Sequence, residues 1–297
     1  MKYAAVVFLF TVSLFAFCND KKDKNISTSK ELDITKIGKF SSALKESSGL
    51  CFTDGNLWSF ADGGNAAAIY KIDVNNGNIL QTVNILNYPN IDWEDITADA
   101  NFIYIGDFGN NRGARKDLKV LRIKKADLKK TASNINVNAD AIQFSYADQT
   151  SFEDEKRSDF DCEAMLCINS NLYLFSKDGV DLKTRCYKLS IIPGNYKIAP
   201  ISTFDTKGKI TGATFNTSTK EIALIGYLEK HDDPFIWFLS DYKSDQFFSG
   251  KTERIKYGKK NEDWQVEGIT YFSNNKLLMS CETSNSVNAS LYWVTKN

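Results

Sequence analysis

Residues 48–64 read SGLCFTDGNLWSFADGG: a polar start, a small or apolar stretch, a turn, and then a strongly apolar strand. The plan recurs as EDITADANFIYIGDFGN from Glu94, EAMLCINSNLYLFSKDG from Glu163, TGATFNTSTKEIALIGY from Thr211 and EGITYFSNNKLLMSCET from Glu267. The starts lie 46, 69, 48 and 56 residues apart, near the ~40–50 residues of a four-stranded propeller blade. The widest gap holds TSFEDEKRSD at residues 150–159, a charged stretch that reads as a loop insertion.

Each repeat is followed by two further strand-like runs. AAIYKID and ILQTVNIL follow the first, LKVLRIKK and AIQFSYA the second, TRCYKLS and IAPISTF the third, PFIWFLS and ERIKY the fourth. They are short, β-branched and aromatic, and Asn, Gly and Asp bound them, as strands require. The fifth repeat has only SLYWVTK before the chain ends, and LDITKIGKF from Leu32 is free to supply its missing strand. Pairing the N- and C-terminal strands closes the ring and removes the exposed edges of an open array. The expectation is therefore an all-β, five-bladed β-propeller of twenty strands spanning residues 31–297, with only residues 122–130 briefly helical. A six-bladed ring is the alternative if residues 139–160 hide another unit; no sixth copy of the polar-start pattern is found there.

Composition narrows the function. The 297 residues carry 37 Lys+Arg against 37 Asp+Glu, a neutrality that argues against nucleic acid as a partner. His231 is the one histidine, so a multi-histidine metal centre is excluded and a Ser-His-Asp triad would have to run through it. It reads as a solvated loop residue. Setting Cys18 aside, Cys51, Cys162, Cys167, Cys186 and Cys281 are odd in number, which leaves at least one thiol unpaired. Core cysteines are the plain reading.

The N-terminus reads as an export signal. Met1-Lys2 precedes an apolar run from Tyr3 to Phe17, too short for the ~20 residues a membrane-spanning helix needs. Cys18 follows directly and resembles the lipid-bearing cysteine of a bacterial lipoprotein, with Phe17 where Gly, Ala or Ser usually stands. Residues 1–17 are read as signal peptide and residues 18–30 as a polar tether holding the domain at a membrane of the cell envelope.

In a propeller the first strand of each blade lines the axial channel. The five starting residues Ser48, Glu94, Glu163, Thr211 and Glu267 should therefore converge at one mouth, with Glu46 and Asp95 nearby. Crowded carboxylates must take up protons or bind a cation. An all-oxygen set suits Ca²⁺, which accepts six to eight oxygen ligands, better than it suits Mg²⁺. The loops joining second and third strands share this mouth and should bring Asp62, Asp107, Arg112, Arg115 and Lys177 to its rim, with Arg185 beyond and the loops from Glu229 to Asp233 and from Glu282 to Asn288 completing the set. Arginine forks there would hold carboxylate or phosphate; the plainer reading pairs them with Asp107 or Asp117. Trp93 and Trp264 either wall the mouth or fill the wedges between blades, and packing is preferred.

Innermost strands beginning Ser, Glu, Glu, Thr, Glu resemble those of the calcium-activated nucleotidases (apyrases), in which such residues surround an axial calcium. The resemblance implies a five-bladed ring and a calcium at these positions. It carries the ring further than the chemistry, because the Asp-Arg pair of that family meets Asp62-Gly63 here. DWEDI and YIGDFGNNRGARKDL resemble a group of secreted or lipid-anchored bacterial propellers. The expected function is a binding or scaffold module of the cell envelope. Its mouth would take a glycan, a peptide or a phosphorylated small molecule. The alternative is a calcium-dependent phosphoester or phosphoanhydride hydrolase, with an enzyme the less favoured reading.

Overall fold

The computed structural model describes residues 32–228, 233–258, 263–285 and 287–297. The signal, Cys18 and its tether, and His231 lie outside the described residues.

The chain enters through β1 (Leu32–Lys39) and then builds blade 1 from β2 (Ser47–Thr53), β3 (Asn56–Ala61), β4 (Ala68–Ile72) and β5 (Ile79–Ile85). Next come β6 (Trp93–Ala98), β7 (Phe102–Asp107), β8 (Lys119–Lys124), β9 (Asn134–Val137) and β10 (Asp140–Tyr146). β11 (Cys162–Ile168), β12 (Asn171–Ser176), β13 (Thr184–Ser190), β14 (Gly194–Ile198) and β15 (Pro200–Phe204) follow. The chain ends with β16 (Lys209–Phe215), β17 (Ile222–Tyr227), β18 (Phe235–Ser240), β19 (Lys251–Lys256), β20 (Val266–Tyr271), β21 (Lys276–Cys281) and β22 (Ser290–Lys296).

These strands form five sheets, so the molecule is a five-bladed propeller, and the six-bladed alternative is set aside. Residues 140–146, where a sixth unit would have begun, are the outer strand of blade 2. The ring closes as expected: β1 runs antiparallel to β22 and completes the sheet of β20, β21 and β22. Among the described residues, helix is confined to short 3-10 turns, one of them at Lys125–Leu128 inside the stretch expected to be helical.

Two strands exceed the expected twenty. β9 leaves blade 2 and pairs in parallel with β5, the outer strand of blade 1. β14 likewise leaves blade 3 and pairs in parallel with β10 of blade 2. Each reaches back across a wedge, covering an open sheet edge and tying one blade to the next.

The core lies between blades. One apolar cluster joins Phe60, Ile69 and Val83 of blade 1 to Ile96, Ile105 and Leu121 of blade 2. Four further clusters fill the remaining wedges, the last bringing Leu50 and Leu57 against Leu278 and Leu291. Because each blade is packed on both faces, its middle strands are apolar almost throughout, as in β17 (IALIGY, wholly buried). Trp93 is fully buried edge-on to Phe60, and Trp264 packs against Tyr257 and Tyr292, so both tryptophans fill wedges. Cys51, Cys162, Cys167, Cys186 and Cys281 are free thiols, four of them buried.

Candidate functional site

Every innermost strand is interrupted at the same place. Its pairing with the second strand skips between Ser47 and Leu50, Trp93 and Asp95, Cys162 and Ala164, Ile210 and Gly212, and Val266 and Gly268. The skipped residues include Ser48, Glu94, Glu163, Thr211 and Glu267, the five repeat starts. A bulge leaves its extra residue unpaired and re-aims the side chain. Here all five become buried. Small residues directly after the bulge let the inner strands crowd together: a Cβ on Gly212 would lie 2.4 Å from the Glu267 carbonyl oxygen, and one on Gly268 2.6 Å from that of Ser48.

The side chains so aimed do different work. The Ser48 hydroxyl donates to the Glu94 carbonyl, and Thr211 Oγ1 donates to the Val266 carbonyl at 2.6 Å. These two bonds lace blade 1 to blade 2 and blade 4 to blade 5. Ser48, Glu94, Glu163 and Glu267 line a cavity of about 330 Å³, which Thr211 does not reach. A second tier comes from the ends of the second strands: Asp62, Lys177, Tyr227 and Glu282 enter the same cavity. Asp62 and Lys177 were anticipated at the rim. Glu282, the first residue of the rim loop 282–288, was anticipated there too; Tyr227 was not, although its place as the last residue of the second strand β17 is the signal that finds it.

Five carboxylates and two ammonium groups, Lys177 and Lys209, line this space. Lys177 Nζ lies 2.5 Å from Glu163 Oε1. Burial alone would lower the Lys177 pKa, but the field of Glu163, with Tyr227, Asp161 and Glu267, outweighs it and holds the pKa well above the ordinary value. Tyr227 donates its hydroxyl to Glu267 Oε1 at 3.2 Å. Glu163 and Glu267 therefore have partners.

Glu94 does not. Its carboxylate meets those of Asp62 and Asp92, one oxygen of each lying within 4.8 Å of the others. No ion pair reaches any of the three among the described residues. Two loop glycines make room: a Cβ on Gly109 would stand 2.1 Å from Glu94 Oε1, and one on Gly63 would stand 2.5 Å from Asp92 Oδ1. Burial pushes all three carboxyls up, Asp62 to about 7 and Glu94 well above its usual range, with neighbouring carboxylates adding to the effect. Glu282 is raised to about 8 and Glu267 well above its ordinary value for the same reasons. The cluster has the form of a cation site facing one side of the mouth.

The other anticipated residues lie elsewhere. Asp95 is wholly buried and does not line the cavity, taking amide bonds from Ile96 (2.8 Å) and from Met165 on the inner strand of the next blade (2.6 Å). Glu46 stays half exposed beside Asn65. Asp107 is buried between Arg115 (2.9 Å) and Lys119 (3.1 Å), and Arg115 also contacts Asp117, so this loop consumes its own charges. Arg112 is exposed and pairs with Asp154 of the insertion.

No protein-family model matches this chain, and no curated protein matches it either. Among solved structures the chain is similar to the PQQ-bound form of aldose sugar dehydrogenase from Streptomyces coelicolor, with 10% identity and a TM-score of 0.50 over 90% of this chain and 99% of that one. It is also similar to a protein described as an oxidoreductase (glucose dehydrogenase) from Thermus thermophilus, with 6% identity and a TM-score of 0.45 over 89% of this chain and all of that one. At such identities the likeness is one of fold.

Proposed function

We propose that this chain is an exported propeller, anchored to a bacterial envelope through a lipid on Cys18, that serves as a binding module with calcium in its mouth. The carrying observation is the convergence of Asp62, Asp92 and Glu94, with no ion pair to any of them among the described residues. Three partly or fully buried carboxylates cannot all ionise unless a cation joins them. Their donors are all oxygen, and Asp62 and Glu94 line the cavity, from which water would complete the shell, as Ca²⁺ accepts readily. The cation belongs to this corner rather than to a ring of the five repeat starts, because Ser48, Glu163, Thr211 and Glu267 are engaged with other partners. A calcium there, with Lys177 and Lys209, offsets much of the negative charge of the five lining carboxylates and offers cationic contacts under a polar rim. That suits a glycan with acidic groups, an acidic peptide or a phosphorylated small molecule.

The test is calorimetric titration of the mature chain with Ca²⁺, beside Asp92→Asn. The wild type should bind calcium in preference to magnesium, and the variant should bind it about tenfold or more weakly, a loss of ~1.4 kcal/mol or more. A wild type that takes up no calcium after chelator treatment overturns the reading.

Lys177 favours a second reading, a calcium-dependent hydrolase of phosphate esters or anhydrides. An ammonium and a divalent ion in one cavity can together neutralise charge developing on a phosphoryl group. Phosphate release from nucleoside di- and triphosphates that needs calcium and disappears in Lys177→Met would establish it. A panel with no release leaves the binding module.

A further inference from the structure

The charged insertion at residues 150–159 has no role in the mouth cavity. It runs between two rim loops: the Glu155 amide donates to the Arg112 carbonyl at 3.0 Å, and the Gly179 amide donates to the Ser158 carbonyl at 3.2 Å. Its last residue, Asp159, meets Asp178 and Asp181 of the β12–β13 loop, one carboxylate oxygen of each lying within 4.8 Å of the others. Arg185 holds one side of this group. Its Nη1 donates to Asp178 Oδ2, while Nη2 stands 3.5 Å from Asp159 Oδ2 and 3.7 Å from Asp181 Oδ2. Asp181 is further served by the Lys183 amide on Oδ1 and the Lys183 ammonium on Oδ2, each at 3.0 Å.

The other two carboxylates are left incomplete. Asp178 has no exposed side-chain surface, yet its Oδ1 has no hydrogen-bond partner. Asp159 Oδ1 is likewise buried without a partner. A buried carboxylate oxygen with neither donor nor cation is costly. Among the described residues, the three carboxylates also outnumber the Arg185 guanidinium and the half-exposed Lys183 ammonium that pair with them. We infer that Asp159, Asp178 and Asp181 form a second calcium site, separate from the mouth, which clips the insertion onto the β12–β13 loop. Carboxylate oxygens plus water meet the coordination this hard cation takes, and the neighbouring Arg185 fixes the carboxylates while leaving Asp159 Oδ1 and Asp178 Oδ1 unbonded.

The site is tested with calcium alone on the mature chain, on Asp92→Asn, on Asp159→Asn and on the double variant, with circular dichroism confirming the propeller in each. Calorimetry should count two ions in the wild type, one in each single variant and none in the double variant. Calcium should also slow tryptic cleavage after Lys156, in the exposed part of the insertion, by about tenfold in the wild type and in Asp92→Asn but not in Asp159→Asn. If Asp92→Asn abolishes all binding, or cleavage after Lys156 ignores calcium, this second site is overturned and the mouth site stands. If Asp159→Asn alone abolishes all binding, the reverse holds.

Discussion

Gly109 shows how much depends on one absent atom. Its missing Cβ leaves room for Glu94 Oε1 and Asp92 Oδ2, which a methyl group would meet at 2.1 and 2.5 Å. Both are ends of side chains that can swing away, so Gly109→Ala should fold but scatter the carboxylates. Its calcium affinity should fall about tenfold, readable by titration, with little change in melting of the chelated protein. Lys177 presents the opposite case. It is the ammonium against buried Glu163, and Lys177→Met would strand that carboxylate at a cost of about 3–5 kcal/mol, measurable by urea unfolding. Combining it with Glu163→Gln should recover much of the loss, and a double variant no better than the single one would deny the pairing. The repeat starts were legible in the sequence because their spacing is regular. Their separate fates were not, since a serine that laces strands and a glutamate that meets a cluster look alike in one dimension.

Titration ties these residues to the strands that carry them. Asp62, after β3, and Glu282, after β21, have ordinary values of 3.8 and 4.5 but are raised by burial to about 7 and about 8. Between those limits the folded chain holds protons that the unfolded chain has lost, so stability falls as pH rises and levels off only above the folded values. The metal-free protein should therefore melt lower at about pH 8.5 than at about pH 5.5, and saturating calcium, which displaces those protons, should narrow the gap. A flat metal-free profile would mean that these carboxyls are not buried as described. Among strands, β9 and β14 are the ones sequence reading missed. β9 is four residues, NINV, between two stronger strands of its own repeat, and nothing local says that it pairs with the preceding blade. Ile135, in its centre, is buried against the first wedge, so Ile135→Ala should cost about 2–3 kcal/mol in chemical unfolding while leaving calcium binding intact.

For the whole molecule the decisive feature is closure. β1 pairs with β22 along nearly its full length, and the Phe40 amide adds a bond to the Ala289 carbonyl. Deleting residues 32–40 should lower the melting temperature far more than deleting residues 19–28 of the tether, and equal effects would contradict the closed ring. Calcium acts on the same global equilibrium. If only the folded form gathers the carboxylates, an ion at a hundred times its Kd stabilises the fold by about 2.7 kcal/mol per site. Chelation should lower the melting temperature accordingly, and calcium should restore it better than magnesium.

The sequence by itself determined the blade count, the closing strand and the five polar residues near the start of the inner strands. These follow from hydrophobic period and repeat spacing, which act locally and recur five times. Only the tertiary structure decided which carboxylates meet. Asp62, Asp92 and Glu94 come from two blades, and Asp159, Asp178 and Asp181 from an insertion and a loop, brought together by bulges and by loop glycines. Partnership among charges depends on distances of a few ångströms across the ring, and no one-dimensional spacing encodes them.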